Sequence, residues 1–243
     1  MPSNAIHTAR AAFPTGLNQP ENGFRFGLDS LLLACFAPCK PEDRVFDVGT
    51  GCGVVGLGLC LMNMDKHPQV LGVDSEPDMV QAAENNARKL GLEHMFQVQR
   101  LDVRDIRSCS DIRPESFDLA VCNPPYREMF QGRQPREGGR VRACFEYTTQ
   151  LSDFLRTMAF GVKNKGRVGL VYWAERLSVM LSTLGKCQLE PKQVRLVHPS
   201  PAARANLVLI KAVKNGRPGL QVDPPLFLDR PDELTSFCPL LPK

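Results

Sequence analysis

The apolar run Phe117-Asp118-Leu119-Ala120-Val121-Cys122 ends in Asn123-Pro124-Pro125-Tyr126, four residues that together suit one kind of chemistry. The Asn123 side-chain oxygen and the Pro124 carbonyl are two acceptors, each able to take one N–H of an amine attached to a planar group. Such a nitrogen is a poor nucleophile while its lone pair is delocalised. Two acceptors draw it toward tetrahedral geometry and free the pair for an electrophilic methyl. The prolines fix φ and carry no N–H, so they leave stiff carbonyls, and Tyr126 offers a face for stacking. No strong base is needed, because positive charge grows on nitrogen and the oxygens stabilise it as it forms. A proline-stiffened turn followed by a core tyrosine is the bland alternative, and the rest of the chain has to decide between them.

The second constellation lies upstream, in Asp47-Val48-Gly49-Thr50-Gly51-Cys52-Gly53. Glycines at a strand-to-helix turn let the backbone pass close to a ligand, and the helix behind it presents free N–H groups to an anionic group. Asp74 follows at the end of the next apolar run, beside Ser75, where a carboxylate can grip both hydroxyls of a ribose. Asp102 and Val103 follow the third run and suit an adenine, the aspartate accepting from the amino group and the valine offering backbone; Asp105 competes with Asp102 for that role. Gly51-x-Gly53-x-x-Gly56 also matches a dinucleotide fingerprint. Two features favour a sulfonium methyl donor, S-adenosylmethionine. Asp47 directly before the glycines can meet an ammonium and would repel a pyrophosphate, and a dehydrogenase has no use for the Asn-Pro-Pro-Tyr motif.

These residues need a scaffold that brings strand ends together. Short β-rich runs alternate with helical segments, which predicts an α/β fold with a mostly parallel, doubly wound sheet. The strands are read at Arg44–Val48, Val70–Asp74, Phe96–Arg100, Phe117–Asn123 and Gly166–Tyr172, then Gln193–Val197 and Asn206–Val213. Helices are read at Val54–Met62, Pro77–Leu90, Leu151–Phe160 and Leu177–Leu184. Pro77 near the start and Gly91 past the end mark the second of these. Asp29–Phe36 is expected as a short helix with Asp29 as its N-cap. Leu220–Leu228 is expected to return as a C-terminal β-hairpin after the Asn215-Gly216 turn. Residues 1–23 are expected to form an N-terminal arm, 24–228 the domain, and 229–243 a loose tail.

Composition narrows the classes further. Of 243 residues 43% are hydrophobic and 23% charged, enough for a core and unlike a disordered chain. The nine cysteines contain no C-x-x-C pair, so neither a disulfide framework nor a metal site is expected, and buried thiols in a reducing cytoplasm are. No stretch has the length of a membrane span. The net charge of +4 permits a nucleic-acid partner without demanding one, so any such contact must be local.

Beyond the motifs, the chain resembles the bacterial tRNA1(Val) adenine-N6 methyltransferase family. The likeness runs through Gly23-Phe24-Arg25-Phe26 with Asp29-Ser30-Leu31-Leu32-Leu33-Ala34, through Tyr147-Thr148-Thr149 and Asp153-Phe154-Leu155, and through Ala205-Asn206-Leu207-Val208-Leu209. It implies a class I methyltransferase fold, S-adenosylmethionine as donor, and methylation of the adenine beside the anticodon of a valine tRNA. It also implies that the segment before the first strand helps close the methionine end of the cofactor site, which makes Asp29 a candidate ligand. Between residues 127 and 142 five arginines (Arg127, Arg133, Arg136, Arg140, Arg142) face two glutamates. Arg133, Arg136, Arg140 and Arg142 are candidate contacts for phosphates around a flipped base; a solvated loop is the alternative. Arg195, His198 and Arg204 form a second, weaker basic patch. The competing substrates are a protein glutamine, methylated on N5, and an rRNA amino group. The glutamine enzymes carry a sizeable helical domain before the glycine loop, where this sequence has about 45 residues.

Overall fold

A computed structural model describes residues 4–21, 25–125 and 150–241. Among them nine strands form one sheet in the order β3-β2-β1-β4-β5-β7-β6-β8, with β9 also on β6. Strands β1 (Arg44–Val48), β2 (Gln69–Asp74), β3 (Phe96–Arg100), β4 (Phe117–Cys122) and β5 (Val162–Trp173) run parallel to one another. Strand β7 (Leu207–Lys214) runs antiparallel to both β5 and β6 (Leu189–His198). After building outward through β2 and β3 the chain returns to lay β4 beside β1, pairing Asp47 with Val121. Strand order reverses there, the position at which open α/β sheets bind ligands in the crevice outside the carboxyl ends of their strands.

The central strands are largely apolar and buried, Asp47 of β1 excepted, because helices cover both faces of the sheet. On one face α2 (Leu28–Phe36), α3 (Val54–Met62) and α4 (Pro77–Leu90) bury Leu32, Leu57 and Ala83; on the other α5 (Leu151–Gly161) and α6 (Leu177–Lys186) bury Leu155, Met158 and Leu184. The capping signals read from α4 hold. Pro77 stands in its first turn, and Gly91 ends it in the left-handed region (φ 60°), its N–H bonding back to Ala87 and Arg88. Helix α1 (Asn4–Ala11) lies against α4, with Arg10 donating to the carbonyls of Leu90 and Gly91. The turn from α2 to β1 is pinned by Arg167, which donates to the Pro38 carbonyl and pairs with buried Asp43 at 2.5 Å.

Three expectations need correction. Helix α2 starts at Leu28 with Gly27 as N-cap; the Asp29 carboxylate, expected to cap, turns inward toward Asn123 instead. No hairpin forms after Leu220. Strands β8 (Gln221–Val222) and β9 (Leu226–Phe227) both run parallel to β6 as one edge, broken between them because Pro224 and Pro225 have no N–H to donate. In place of a loose tail, α7 (Pro231–Phe237) leads to Cys238, fully buried, whose thiol reaches the Leu31 carbonyl on α2. The apolar side chains Leu234, Phe237 and Leu240 pack on the same core, a burial that outweighs the helix-breaking prolines around them.

Helix α5 ends at Gly161 beneath the stacked rings of Phe46 and Phe117, 4.6 Å apart. A Cβ on Gly161 would lie 2.7 Å from the Phe46 ring, which is fully buried. Gly161→Ala is expected to destabilise the fold by about 1–3 kcal/mol through overpacking, read as a lowered urea midpoint. An unchanged midpoint would mean that α5 does not seat against β1 as described.

Candidate active site

The turn between β1 and α3 owes its shape to one carboxylate. Asp47 is 1% exposed, and its Oδ2 accepts from the Thr50 hydroxyl (2.7 Å) and the Gly56 amide (3.0 Å). It thereby clamps the loop at both ends. Gly49, Gly51 and Gly53 all take positive φ (72°, 56° and 89°), which side chains adopt only under strain. Beside Gly49 and Gly53 a Cβ would meet Phe154 or Leu57, whereas at Gly51 it would meet nothing within 4 Å. At Gly51, therefore, the backbone lies open to a ligand. Thr50 is buried against Gly72 of β2, and Cys52 is buried too, its thiol pushed up to about 11 by burial. Both side chains are buried, and their backbone is largely engaged as well: the Thr50 N–H donates to Val73, the Thr50 carbonyl accepts from Gly53, and the Cys52 carbonyl accepts from Asn86.

Asp74 ends β2 in contact with this turn. Its Oδ2 accepts from Gly51 N–H at 2.9 Å and its Oδ1 from Glu76 N–H at 3.0 Å. Each oxygen keeps acceptor capacity for a further donor. Burial raises its pKa against the pull of those hydrogen bonds. Ser75 is exposed and its carbonyl is held by Arg100. Beyond β3, Asp102 caps a 3₁₀ turn that includes Val103; its carboxylate takes the backbone N–H and the guanidinium of Arg104, which hold its pKa down. The Val103 carbonyl is already bonded to the buried Thr157 hydroxyl at 2.6 Å, so its N–H is the part left to offer.

Asn123 stands at the end of β4, next to this turn across the β1–β4 pairing. Its Nδ2 donates to Asp29 Oδ2 (3.1 Å) and Ser30 Oγ (2.9 Å), two buried residues of α2. Its Oδ1 is buried and has no partner among the described residues. An acceptor left so costs about 1–3 kcal/mol, which a ligand N–H would recover. Pro124 is buried beside it and Pro125 exposed. Tyr126, Arg127, Arg133, Arg136, Arg140 and Arg142 lie outside the described residues. Next to Asp29 opens a cleft of about 550 Å³ bounded by Leu28, Trp173, Asn206 and Leu228. The second basic patch is mostly engaged elsewhere: Arg195 pairs with Asp223, and His198 bonds the Ala203 carbonyl.

Sequence reasoning passed over Ser30 and Asn86. Asn86 is fully buried; its Oδ1 accepts from Asn18 N–H, and its Nδ2 donates to the Asn18 and Cys52 carbonyls, fastening α4 to the glycine turn. A signal existed, since Asn86 interrupts the apolar stripe Met79, Ala82, Ala83, Ala87, Leu90, and a buried amide has to find partners.

Comparison with known proteins gives the family and the fold. Residues 40–170 match the family model described as a methyltransferase domain. The chain is similar to the tRNA1(Val) (adenine(37)-N6)-methyltransferase of Mannheimia succiniciproducens, 31% identical over 149 residues, 60% of this chain but only 58% of that enzyme's length. It is similar to the enzyme of the same name from Vibrio campbellii, 26% identical over 82% of this chain and 83% of that one. Among solved structures, a predicted O-methyltransferase from Agrobacterium tumefaciens superposes with a TM-score of 0.67 at 20% identity, covering 86% of this chain and 96% of that one. That last likeness speaks for the fold alone.

The buried Asp47 gives a pH signature. Burial pushes its pKa up to about 6 despite the bonds from Thr50 and Gly56, and the nearby Asp74 charge adds to the rise. The folded protein therefore holds this proton more tightly than the unfolded chain. Stability from this group is full below about pH 4 and is lost as pH climbs through about 6. Asp47→Asn removes the buried charge, so stability relative to wild type should shift in the variant's favour by up to roughly 3 kcal/mol between pH 4 and pH 8. Urea melts across that range check it; a pH-independent difference would contradict the burial of an ionisable Asp47.

Proposed function

This chain belongs to the methyltransferase-domain family, and we propose that it transfers a methyl group from S-adenosylmethionine to N6 of an adenine in tRNA, the base beside the anticodon of a valine tRNA. One observation carries the amine-directed part of this reading: the buried, unpartnered Oδ1 of Asn123 at the carboxyl end of β4, an acceptor in want of an N–H. The nucleoside and the tRNA species rest on what the Mannheimia and Vibrio relatives are named for. A cytoplasmic site of action is part of this proposal and rests on the tRNA substrate; no described helix is long and apolar enough to cross a membrane.

The residues present fit such a donor. The open backbone at Gly51 and the α3 N-terminus behind it receive the amino-acid end, Asp74 the ribose hydroxyls, Ser75, Asp102 and the Val103 N–H the adenine side. Asp47 works from beneath, holding Gly49, Thr50, Cys52 and Gly53 in their turn. When bound, S-adenosylmethionine supplies an electrophilic sulfonium methyl. The chain's own part is electrostatic and positional. Asn123 Oδ1 and the Pro124 carbonyl each accept one N–H of the substrate amine, with Pro125 keeping the turn rigid. As the nitrogen lone pair becomes the new N–C bond, positive charge spreads onto those hydrogens and the two oxygens stabilise it. Alignment of the nitrogen in that grip contributes the rest, and Tyr126 stacks on the base. Arg133, Arg136, Arg140 and Arg142 stand next to Tyr126 in sequence and would meet phosphates around the extruded nucleotide.

Two substitutions separate binding from chemistry. Asp74→Ala removes an acceptor for two hydroxyls, each bond to a charged group worth roughly 1.5–3 kcal/mol, and calorimetry should show S-adenosylmethionine binding weakened about a hundredfold or more. Asn123→Ala should leave that affinity nearly unchanged while the methylation rate drops on the order of 10²–10³-fold. The direct assay incubates the protein with donor and unmodified valine tRNA, followed by nucleoside mass spectrometry for N6-methyladenosine. Methyl found on a glutamine side chain or on rRNA, with none on tRNA, would overturn the substrate and leave the amine chemistry standing.

A further inference from the structure

We propose that Asp29 and Ser30, in the first turn of α2, are positioning residues that dictate which end of the Asn123 amide is offered to the substrate amine. This rests on the reading of Asn123 as the acceptor for that amine.

A side-chain amide has one accepting and one donating end, and a half-turn about its last bond exchanges them. Only the orientation with Oδ1 toward the substrate N–H is productive; the flipped one would aim two donors at a group that is itself a donor. Among the described residues the choice is made by a helix 93 and 94 residues away in sequence. Asp29 Oδ2 receives Nδ2 at 3.1 Å, and Ser30 Oγ receives it at 2.9 Å. An ionised carboxylate only accepts. Flipping the amide would therefore set Oδ1 against Asp29 Oδ2, two acceptors in contact with no hydrogen between them. The serine hydroxyl could adapt by rotating; the carboxylate cannot. An anionic acceptor on Nδ2 also polarises the amide, which leaves more negative charge on Oδ1, the atom that meets the developing ammonium.

The carboxylate is itself held in place. Its Oδ1 accepts from the Ser30 backbone N–H at 2.9 Å, and Asp29 and Ser30 are 7% and 2% exposed. A Cβ at Gly27 would come within 2.8 Å of that same Oδ1, so the glycine before α2 leaves the room the carboxylate occupies. This explains why Asp29 does not cap its helix, and it gives the pair a role distinct from gripping the methyl donor.

The test compares wild type with Asp29→Ala, Asp29→Asn, Ser30→Ala, Asn123→Ala and the double variant Asp29→Ala/Asn123→Ala, all as the full chain. Asp29→Ala should lower kcat for tRNA methylation about 10–100-fold while KM and the S-adenosylmethionine Kd stay within about threefold. Asp29→Asn, able to turn its own amide oxygen toward Nδ2, should recover part of the loss, and Ser30→Ala should cost less than Asp29→Ala. The double variant should be no slower than Asn123→Ala alone, because Asp29 acts through Asn123. A multiplicative loss in the double variant would overturn the proposal, as would a tenfold weaker Kd with kcat intact, which would make Asp29 a cofactor ligand. A readout independent of substrate is the Asn123 side-chain amide in a nitrogen–proton correlation spectrum, assigned by its absence in Asn123→Ala. Its protons should exchange slowly in wild type and at least tenfold faster in Asp29→Ala; equal exchange rates refute the positioning contact even if the tRNA assignment holds. If wild type methylates glutamine rather than tRNA, the substrate reading fails while the amide spectrum and the same cycle on that substrate still decide the role of Asp29.

Discussion

The buried carboxylate of Asp47 is the constraint around which the crevice is organised. An ionised group 1% exposed is expensive to keep away from water, and its two donors, the Thr50 hydroxyl and the Gly56 N–H, are what make the position tolerable. Because those donors bracket two of the three left-handed glycines, Gly51 and Gly53, the bonds that satisfy the charge also impose the turn. The same turn hands its Gly51 N–H to Asp74 and its Gly49 and Thr50 N–H groups to the Val73 carbonyl. The end of β1, the end of β2 and the start of α3 are thus one hydrogen-bonded unit, rigid before any ligand arrives.

Around that unit the carboxyl edge of the sheet is braced by buried polar side chains reaching in from helices. Asn86 of α4 holds the Cys52 carbonyl, Thr157 of α5 holds the Val103 carbonyl, and Asp29 and Ser30 of α2 hold Asn123. Each is a polar group where an apolar one would pack more cheaply, and each has its partner. The exception among the described residues of the site is Asn123 Oδ1. In an edge otherwise so fully bonded, this lone unsatisfied acceptor is the observation on which the proposed amine contact rests.

The α2 segment shows how tertiary packing extends a motif. The helix lies before β1 in sequence, yet Arg167 of β5 pins its exit through Pro38 and Asp43, and Cys238 covers it from the far terminus through the Leu31 carbonyl. The Asn123 amide on β4 is therefore oriented by a helix that is itself positioned by β5 and by the segment around Cys238.

The sequence by itself determined most of the framework. Alternating apolar runs located β1 to β7 to within a few residues, and Pro77 and Gly91 marked the ends of α4, because these signals depend on neighbours a few positions apart. The glycine turn and the placement of Asp74 and Asn123 at strand ends were legible for the same reason: short-range patterns at strand ends carry their own geometry. What only the tertiary structure decided involves partners far apart in the chain. Asp29 reads locally as a helix cap, and packing against β4 turned it into the anchor of an amide 94 residues away. Val222 to Leu226 reads as half of a hairpin, and the free edge of β6 took it in parallel instead. The proline-rich end reads as a tail, and the apolar surface of α2 and α3 drew Cys238 and Leu240 down onto it. In each case local propensity was weak and a long-range contact offered burial or a hydrogen bond that no neighbour could supply.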